Sequence, residues 1–261
     1  MNPSTILTIV LVLSLFATTA LSVALVVLRR KCTLLGRRVE RGAQELERLQ
    51  RSFARFAPAT LVEKIVSDGM LAAGQRLDVT VMFADICDFT RLSEKLDPAL
   101  VIEILNGYYR FMADVIQAHH GHVTRLMGDG IMSAFGVLER NPWHVQDAVE
   151  AAIGMREALR QYNRELRSRR RPELSLGIGI HCGTVVAGLV GSEELVEFTV
   201  MGDVVNVASR VEALTRRFHT DILITDEVKN RLGDRFGVSE MPSTVIKGKS
   251  RPVVTWTIDA A

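Results

Sequence analysis

Cysteine is scarce in this chain. Cys32, Cys87 and Cys182 are its three thiols, odd in number, far apart and without metal-ligand spacing. That excludes a disulfide framework and a zinc site, and it predicts reduced thiols in a reducing compartment. Net charge is nearly absent as well: the formal balance is +2, which excludes a globally basic nucleic-acid binder. What is present in quantity is apolar side chain, 48% of 261 residues, enough for one sizeable folded domain with accessories and too much for a disordered chain.

Charge is missing altogether from residues 6 to 28, I-L-T-I-V-L-V-L-S-L-F-A-T-T-A-L-S-V-A-L-V-V-L. At about 1.5 Å of rise per residue such a helix crosses a bilayer core of about 30 Å, so residues 1–30 are expected to form one transmembrane helix. A cleaved signal peptide would carry its positive charges before a shorter apolar core; here Arg29, Arg30 and Lys31 follow the run. With Arg37, Arg38 and Arg41 extending the basic flank, the positive-inside rule puts the rest of the chain in the cytoplasm, at the plasma or inner membrane. Only five residues precede the span, so a conventional external sensor domain is not expected.

Over residues 31–57 the apolar side chains Leu35, Val39, Leu46, Leu49, Phe53 and Phe56 alternate steps of four and three once Gly42 fills the missing position. This is a heptad seam of about three repeats, which suits a parallel dimeric coiled coil or a single amphipathic helix lying on a neighbouring surface. Pro58 ends it, and residues 58–76 hold a short helix, closed by Asp68-Gly69, and a linker.

Residues 77–258 alternate strand and helix patterns, as an α/β (α+β) domain does. Asp97-Pro98 is a helix start, followed by an apolar face through Val101, Ile102, Leu105, Tyr108, Met112, Val115 and Ile116, with Gly121 as the stop. Next, H-V-T-R-L-M and I-M-S-A-F-G flank Gly128-Asp129-Gly130, a tight hairpin signal. Asn141-Pro142 starts another helix with Ala148, Ala151, Ala152, Met155 and Leu159 on its buried face, ahead of a basic turn from Arg167 to Arg171. Then come L-S-L-G-I-G-I-H-C-G and F-T-V-M-G-D-V-V-N-V-A-S-R-V-E, a strand pair and a helix, and finally D-I-L-I-T-D-E-V and V-V-T-W-T-I.

The chemistry starts from V-T-V-M-F-A-D-I-C-D-F-T, residues 79 to 90. An apolar strand that ends on carboxylates is costly unless something positive sits there. Asp85 at a strand end and Asp129 at a hairpin tip suit a pair of hard divalent cations clamping a phosphoryl displacement; equally, each aspartate would serve as a cap or turn residue. His119-His120-Gly121-His122 finds no matching ligands elsewhere and reads as the polar end of a helix.

F-A-D-I-C-D-F-T, R-L-M-G-D-G-I-M-S-A-F-G and F-T-V-M-G-D-V-V-N-V-A-S-R, in this order and at these separations, resemble the signature blocks of the class III nucleotidyl cyclases. R-F-A-P-A-T-L-V-E-K-I-V upstream is similar to the transducing helix that precedes many such domains. The resemblance implies a ferredoxin-like βαββαβ catalytic domain that converts a nucleoside triphosphate to its 3′,5′-cyclic monophosphate and pyrophosphate, at sites between two domains packed head to tail. It implies Asp85, Asp129 and the carbonyl of Ile86 as ligands of two Mg²⁺ or Mn²⁺ ions per site. Backbone N–H groups of the turn into Phe89 and Thr90 would meet the triphosphate. Asn206 would orient the ribose, Arg210 would stabilise charge on the α-phosphoryl group, and Lys247 would contact the terminal phosphates. Asp88 matches no metal ligand and reads as a turn or cap residue.

At the two base-reading positions adenylyl members usually carry lysine with aspartate or threonine, and guanylyl members glutamate with cysteine or serine. Here they hold Arg125 and Thr199. Thr199 fits a threonine-bearing adenylyl subgroup, while an arginine fork is not interchangeable with an ammonium and suits adenine N1 or guanine O6. The expected partners are therefore ATP, a second copy of the chain and, through the N-terminal helix, a membrane. The alternatives are a guanylyl or relaxed-specificity cyclase and a cyclase-like domain without turnover. A diguanylate cyclase would share the carboxylate geometry but not the V-N-V-A-S-R block.

Overall fold

The computed structural model describes residues 74–192, 196–249 and 251–259, together with Arg30, Lys31 and Glu40. The expected span at 6–28, the seam residues between 35 and 56 and the short helix near 59–67 lie outside the described residues. Among the described residues no helix is long and apolar enough to cross a membrane.

Strand β1 (Gln75–Ile86) leads through a five-residue helix α1 (Phe89–Ser93) into α2 (Pro98–Ala118). The hairpin β2 (Gly121–Met127) and β3 (Gly130–Phe135), helix α3 (His144–Ser168) and the long strand β4 (Leu176–Gly191) follow. β5 (Val196–Met201), α4 (Asp203–Phe218), β6 (Ile222–Thr225), α5 (Asp226–Leu232), β7 (Val238–Thr244) and β8 (Val253–Ile258) complete it. The eight strands form one sheet in the order β2-β3-β1-β4-β6-β8-β7, with β5 paired to β4. The order β2-β3-β1-β4, all antiparallel, is the βαββαβ arrangement expected of a ferredoxin-like core.

Side-chain alternation along the strands makes three layers. On β4, Leu176, Ile178 and Ile180 belong to the main core beneath α2 and α3, while Gly177 and Gly179 face α4. On β6, Ile222 and Ile224 join the same core, whereas Leu223 packs with Val207 and Val211 of α4. The glycines of G-I-G are thereby explained: a β-carbon at Gly179 would lie 2.1 Å from the backbone nitrogen of Glu212, so α4 sits directly on the strand. On β1 the same period sends Met82, Ala84 and Ile86 into the core and turns Asp85 towards α4.

The Asp97 carboxylate accepts from the N–H of Ala99 at 2.9 Å with Pro98 in the first turn, as expected. The buried stripe of α2 is close to the expected one: Tyr108, Met112 and Ile116 are fully buried and Val101, Leu105 and Val115 pack against the core, while Ile104 joins them in place of the exposed Ile102. The steps of four place Ile104 under Tyr162, whose hydroxyl donates to the Ile104 carbonyl, and packing on the common core selects the face. Gly121 is not the stop either. His120 makes the left-handed turn at φ 59°, while Gly121 leaves room for the ring of Phe135. Asn141 acts ahead of α3 by accepting from the N–H of Trp143, and the buried face is the alanine-rich one read from sequence. The basic turn is paired: Arg167 bonds Glu173 bidentately, and Arg169 and Arg171 reach Glu103. Cys87 and Cys182 are free thiols, the latter pushed up to about 11 by burial.

Candidate active site

The β2–β3 hairpin turns on Gly128 at φ 66°, which frees Asp129 to stand at the tip. Tyr109 of α2 donates to the Gly128 carbonyl and fastens the tip to the helix layer. The tip then hangs beside the end of β1, where the Asp85 and Asp129 carboxylates come within hydrogen-bonding range. Gly130 keeps this approach open, since a β-carbon there would lie 3.1 Å from Asp85 Oδ1. Burial, followed by the negative charge of Asp85, raises the proton affinity of Asp129. Two half-buried carboxylates forced together in this way define a place for positive charge, and their hard oxygen donors fit Mg²⁺ or Mn²⁺.

Two further residues, not singled out from sequence, complete this end. Arg216 places Nη2 2.5 Å from Asp85 Oδ2, standing where a cation belongs. Glu212, one turn earlier on α4, is 7% exposed and has its Oε1 without a hydrogen bond. Burial first, with Asp85 and Asp129 adding to it, lifts its carboxyl to about 7. No local motif marks either residue; only the seating of α4 on Gly177 and Gly179 delivers them.

Asp88 is in the left-handed region at φ 56° and caps nothing with its side chain, so it is a turn residue, a conformation aspartate tolerates. The Phe89 side chain is core, leaving only its backbone available, and Thr90 is exposed. Ile86 is buried at the last position of β1.

The other expected residues gather elsewhere. Asn206 is exposed and Arg210 half-buried on α4; at about 100° per residue they point roughly 120° away from Glu212 and Arg216 around the same helix. Gly248 at φ 79° lets the β7–β8 turn close on Arg210, where a β-carbon would lie 3.0 Å from Nη1. Lys247 beside it is exposed, and its neighbour Lys249 pairs with Asp203. Thr199 is buried on β5 opposite Gly188. Arg125 on β2 forms a bidentate pair with Glu197 of β5, at 2.9 and 2.7 Å, both side chains nearly half exposed. Glu197 was also missed from sequence; it lies two residues before Thr199 and so on the same face of β5. In a single chain the carboxylate group and the Asn206–Arg210–Lys247 group thus occupy different faces.

A ferredoxin-like sheet that presents paired carboxylates at a strand end and a hairpin tip defines a class of metal-dependent phosphoryl-transfer domain. Residues 71–260 match the adenylate and guanylate cyclase catalytic domain, and the chain belongs to that family, the class III nucleotidyl cyclases. Adenylate cyclase 1 of Rhizobium meliloti is 33% identical over 201 residues, 76% of this chain and 30% of the relative. The adenylate cyclase of Anabaena cylindrica is 34% identical over 228 residues, 83% of this chain and 44% of the relative. The chain therefore spans less than half the length of these two curated relatives. Among solved structures, the guanylyl cyclase Cya2 superposes with a TM-score of 0.67 at 35% identity, covering 71% of this chain and 93% of that one. The adenylyl cyclase CyaB from P. aeruginosa gives 0.67 at 28%, covering 72% and 96%.

Proposed function

We propose that this protein is a membrane-anchored, homodimeric adenylyl cyclase. The ribose 3′-hydroxyl of ATP attacks the α-phosphate, the bond to the β-phosphate breaks, and 3′,5′-cyclic AMP and pyrophosphate leave. The observation that carries this reading is the juxtaposition of Asp85 and Asp129 inside a domain of the cyclase family.

Asp85, Asp129 and the Ile86 carbonyl would hold two Mg²⁺ or Mn²⁺ ions, which supply charge neutralisation and lower the proton affinity of the attacking hydroxyl. The chain's own residues do the positioning. Backbone N–H groups from Cys87 to Thr90 bind the triphosphate, Asn206 fixes the ribose, Arg210 meets the charge growing on the α-phosphoryl oxygens, and Lys247 holds the terminal phosphates. Thr199 reads the base with Arg125.

The separation of the two residue groups within one chain supports a head-to-tail pair in which each copy completes the other's site. Exposed apolar side chains on β2, β4 and β5, namely Leu126, Met127, Val186, Val190 and Met201, give a second copy something to cover. The apolar run at 6–28 and the seam behind it would raise the local concentration of one domain for the other, with the catalytic domain on the cytoplasmic side.

One observation favours a relaxed base preference as the second reading: Arg125 is already neutralised by Glu197, so the cation offered to a purine is not free. Turnover by the purified full-length protein in detergent, given ATP and GTP separately with Mn²⁺ and with Asp85→Ala as control, tests both. Cyclic AMP in excess, lost in the control, is expected. Comparable cyclic GMP would establish relaxed specificity, and no product from a folded dimer would make this a non-catalytic member of the family.

A further inference from the structure

We propose that Arg216 is a built-in counter-cation of the Asp85–Asp129 pair, bound to Asp85 when no metal is present and handed to Glu212 when a metal ion arrives. The inference rests on the metal-binding role of Asp85 and Asp129 proposed above.

The geometry gives Arg216 two destinations. Its Nη2 lies 2.5 Å from Asp85 Oδ2, and its Nη1 lies 3.4 Å from Glu212 Oε1. The first contact is a full hydrogen bond; the second is within ion-pair range, while Glu212 Oε1 keeps no hydrogen bond at all. A buried carboxylate oxygen left without a partner is costly and needs a reason. Here the reason is an acceptor held in reserve. Glu212 cannot retreat from the post, because its backbone is pressed against Gly179 and its carboxylate against Gly177. Arg216 can move, since its side chain is 39% exposed, long and flexible, and the i,i+4 spacing keeps Glu212 within reach.

Charge dictates the direction. Asp85, Asp129 and Glu212 are three carboxyl groups served by one guanidinium, and Glu212, the most deeply buried, holds its proton firmly until a cation reaches it. Without metal, Arg216 goes to the carboxylate pair, where repulsion is greatest. A divalent ion at that pair would take over the neutralisation and repel Arg216, whose guanidinium would then donate to Glu212 Oε1. The exchange keeps the metal-free pair from collapsing, at the expense of metal affinity, because each binding event must displace a guanidinium.

The test is Mn²⁺ binding to the full-length protein without nucleotide, read as free Mn²⁺ by electron paramagnetic resonance, for wild type, Arg216→Gln, Arg216→Lys, Glu212→Gln and Asp85→Ala. Arg216→Gln should bind Mn²⁺ roughly tenfold more tightly, since the competing charge-assisted bond is gone. Glu212→Gln should bind it several-fold more weakly, and Arg216→Lys should fall between wild type and Arg216→Gln. In chelator the thermal midpoint of Arg216→Gln should lie below wild type, and Mn²⁺ should close that gap. Opposite signs for the Arg216 and Glu212 variants are not what general destabilisation produces. Equal or weaker Mn²⁺ binding by folded Arg216→Gln overturns the counter-cation role while leaving the metal site standing, provided Asp85→Ala still loses it. If wild type and every variant fail to bind Mn²⁺, the metal reading falls and takes the exchange with it. Should Arg216→Gln not fold, the Arg216→Lys and Glu212→Gln pair decides by the same signs.

Discussion

The two ends of helix α4 are built on opposite principles. Its C-terminal half is pressed onto Gly177 and Gly179, and of the charges it brings, Arg216 bonds Asp85 and lies within ion-pair range of Glu212. Its N-terminal half carries Asn206 in the open and Arg210 half-buried beside the Gly248 turn. One end is finished within a single chain, and the other presents groups with nothing yet to act on. Glu212 and Arg216 therefore bear on folding as well as on the site, whereas Asn206 and Arg210 bear on the site alone.

The largest effects should come from the finished end. Asp85→Ala or Asp129→Ala should lower cyclic nucleotide formation at least about a hundredfold, measured as product from ATP. Arg210→Ala should cost a comparable factor without loss of fold. Mixing inactive Asp85→Ala with inactive Arg210→Ala then shows whether the two ends of α4 serve one copy or two. If the two ends serve different copies, random pairing makes about half the dimers mixed, each with one intact site, and restores about a quarter of wild-type activity. No recovery would place both ends in one site of one chain.

A stability effect comes next. Gly179→Ala must push the Glu212 backbone away and should cost about 3 kcal/mol by denaturant unfolding, at the upper end of overpacking penalties. The open half of α4 has no equivalent: Asn206→Ala should change stability by less than about 0.5 kcal/mol.

Acid should expose a similar contrast on the sheet. Burial beside Phe198 lowers His122 from its ordinary value of 6.5 to about 4. The unfolded chain binds this proton first, so stability should decline as pH falls from 6.5 towards 4, by about 3 kcal/mol in all, and level off below. His122→Phe should flatten that part of the curve. The smallest effect is expected at the base-reading pair. Arg125→Lys, which exchanges a bidentate fork for a point charge, should shift the ratio of ATP to GTP turnover by a few-fold.

What could be read from sequence was local. The β1 run, the Gly128-Asp129 turn and the Asp97-Pro98 cap are each written in a few adjacent residues, and each stands where it was expected. Asp85 stood out because an aspartate that ends an apolar strand is anomalous on its face, whereas Asp129 was marked only by its Gly-Asp-Gly turn. The exposed Ile102 was misassigned because several faces of α2 are apolar, and the packing of the helix on the common core selects the one through Ile104. β7 went unread since an edge strand with Pro242 at a register shift shows neither alternation nor an apolar run. Glu197 and Arg216 escaped because each matters through a residue 72 or 131 positions away, and Glu212 because only the seating of α4 on Gly177 and Gly179 brings it to the site.

Because α4 holds both kinds of group, it belongs to two sites at once in the proposed dimer: Glu212 and Arg216 serve the site its own chain finishes, and Asn206 and Arg210 serve the partner's. A rigid rod shared in this way cannot be tightened at one end without moving the other. In that proposed dimer one intact centre could still turn over alone, but the two would be mechanically linked through α4, and nucleotide captured at the first should alter the affinity of the second, giving a substrate dependence that departs from a simple hyperbola.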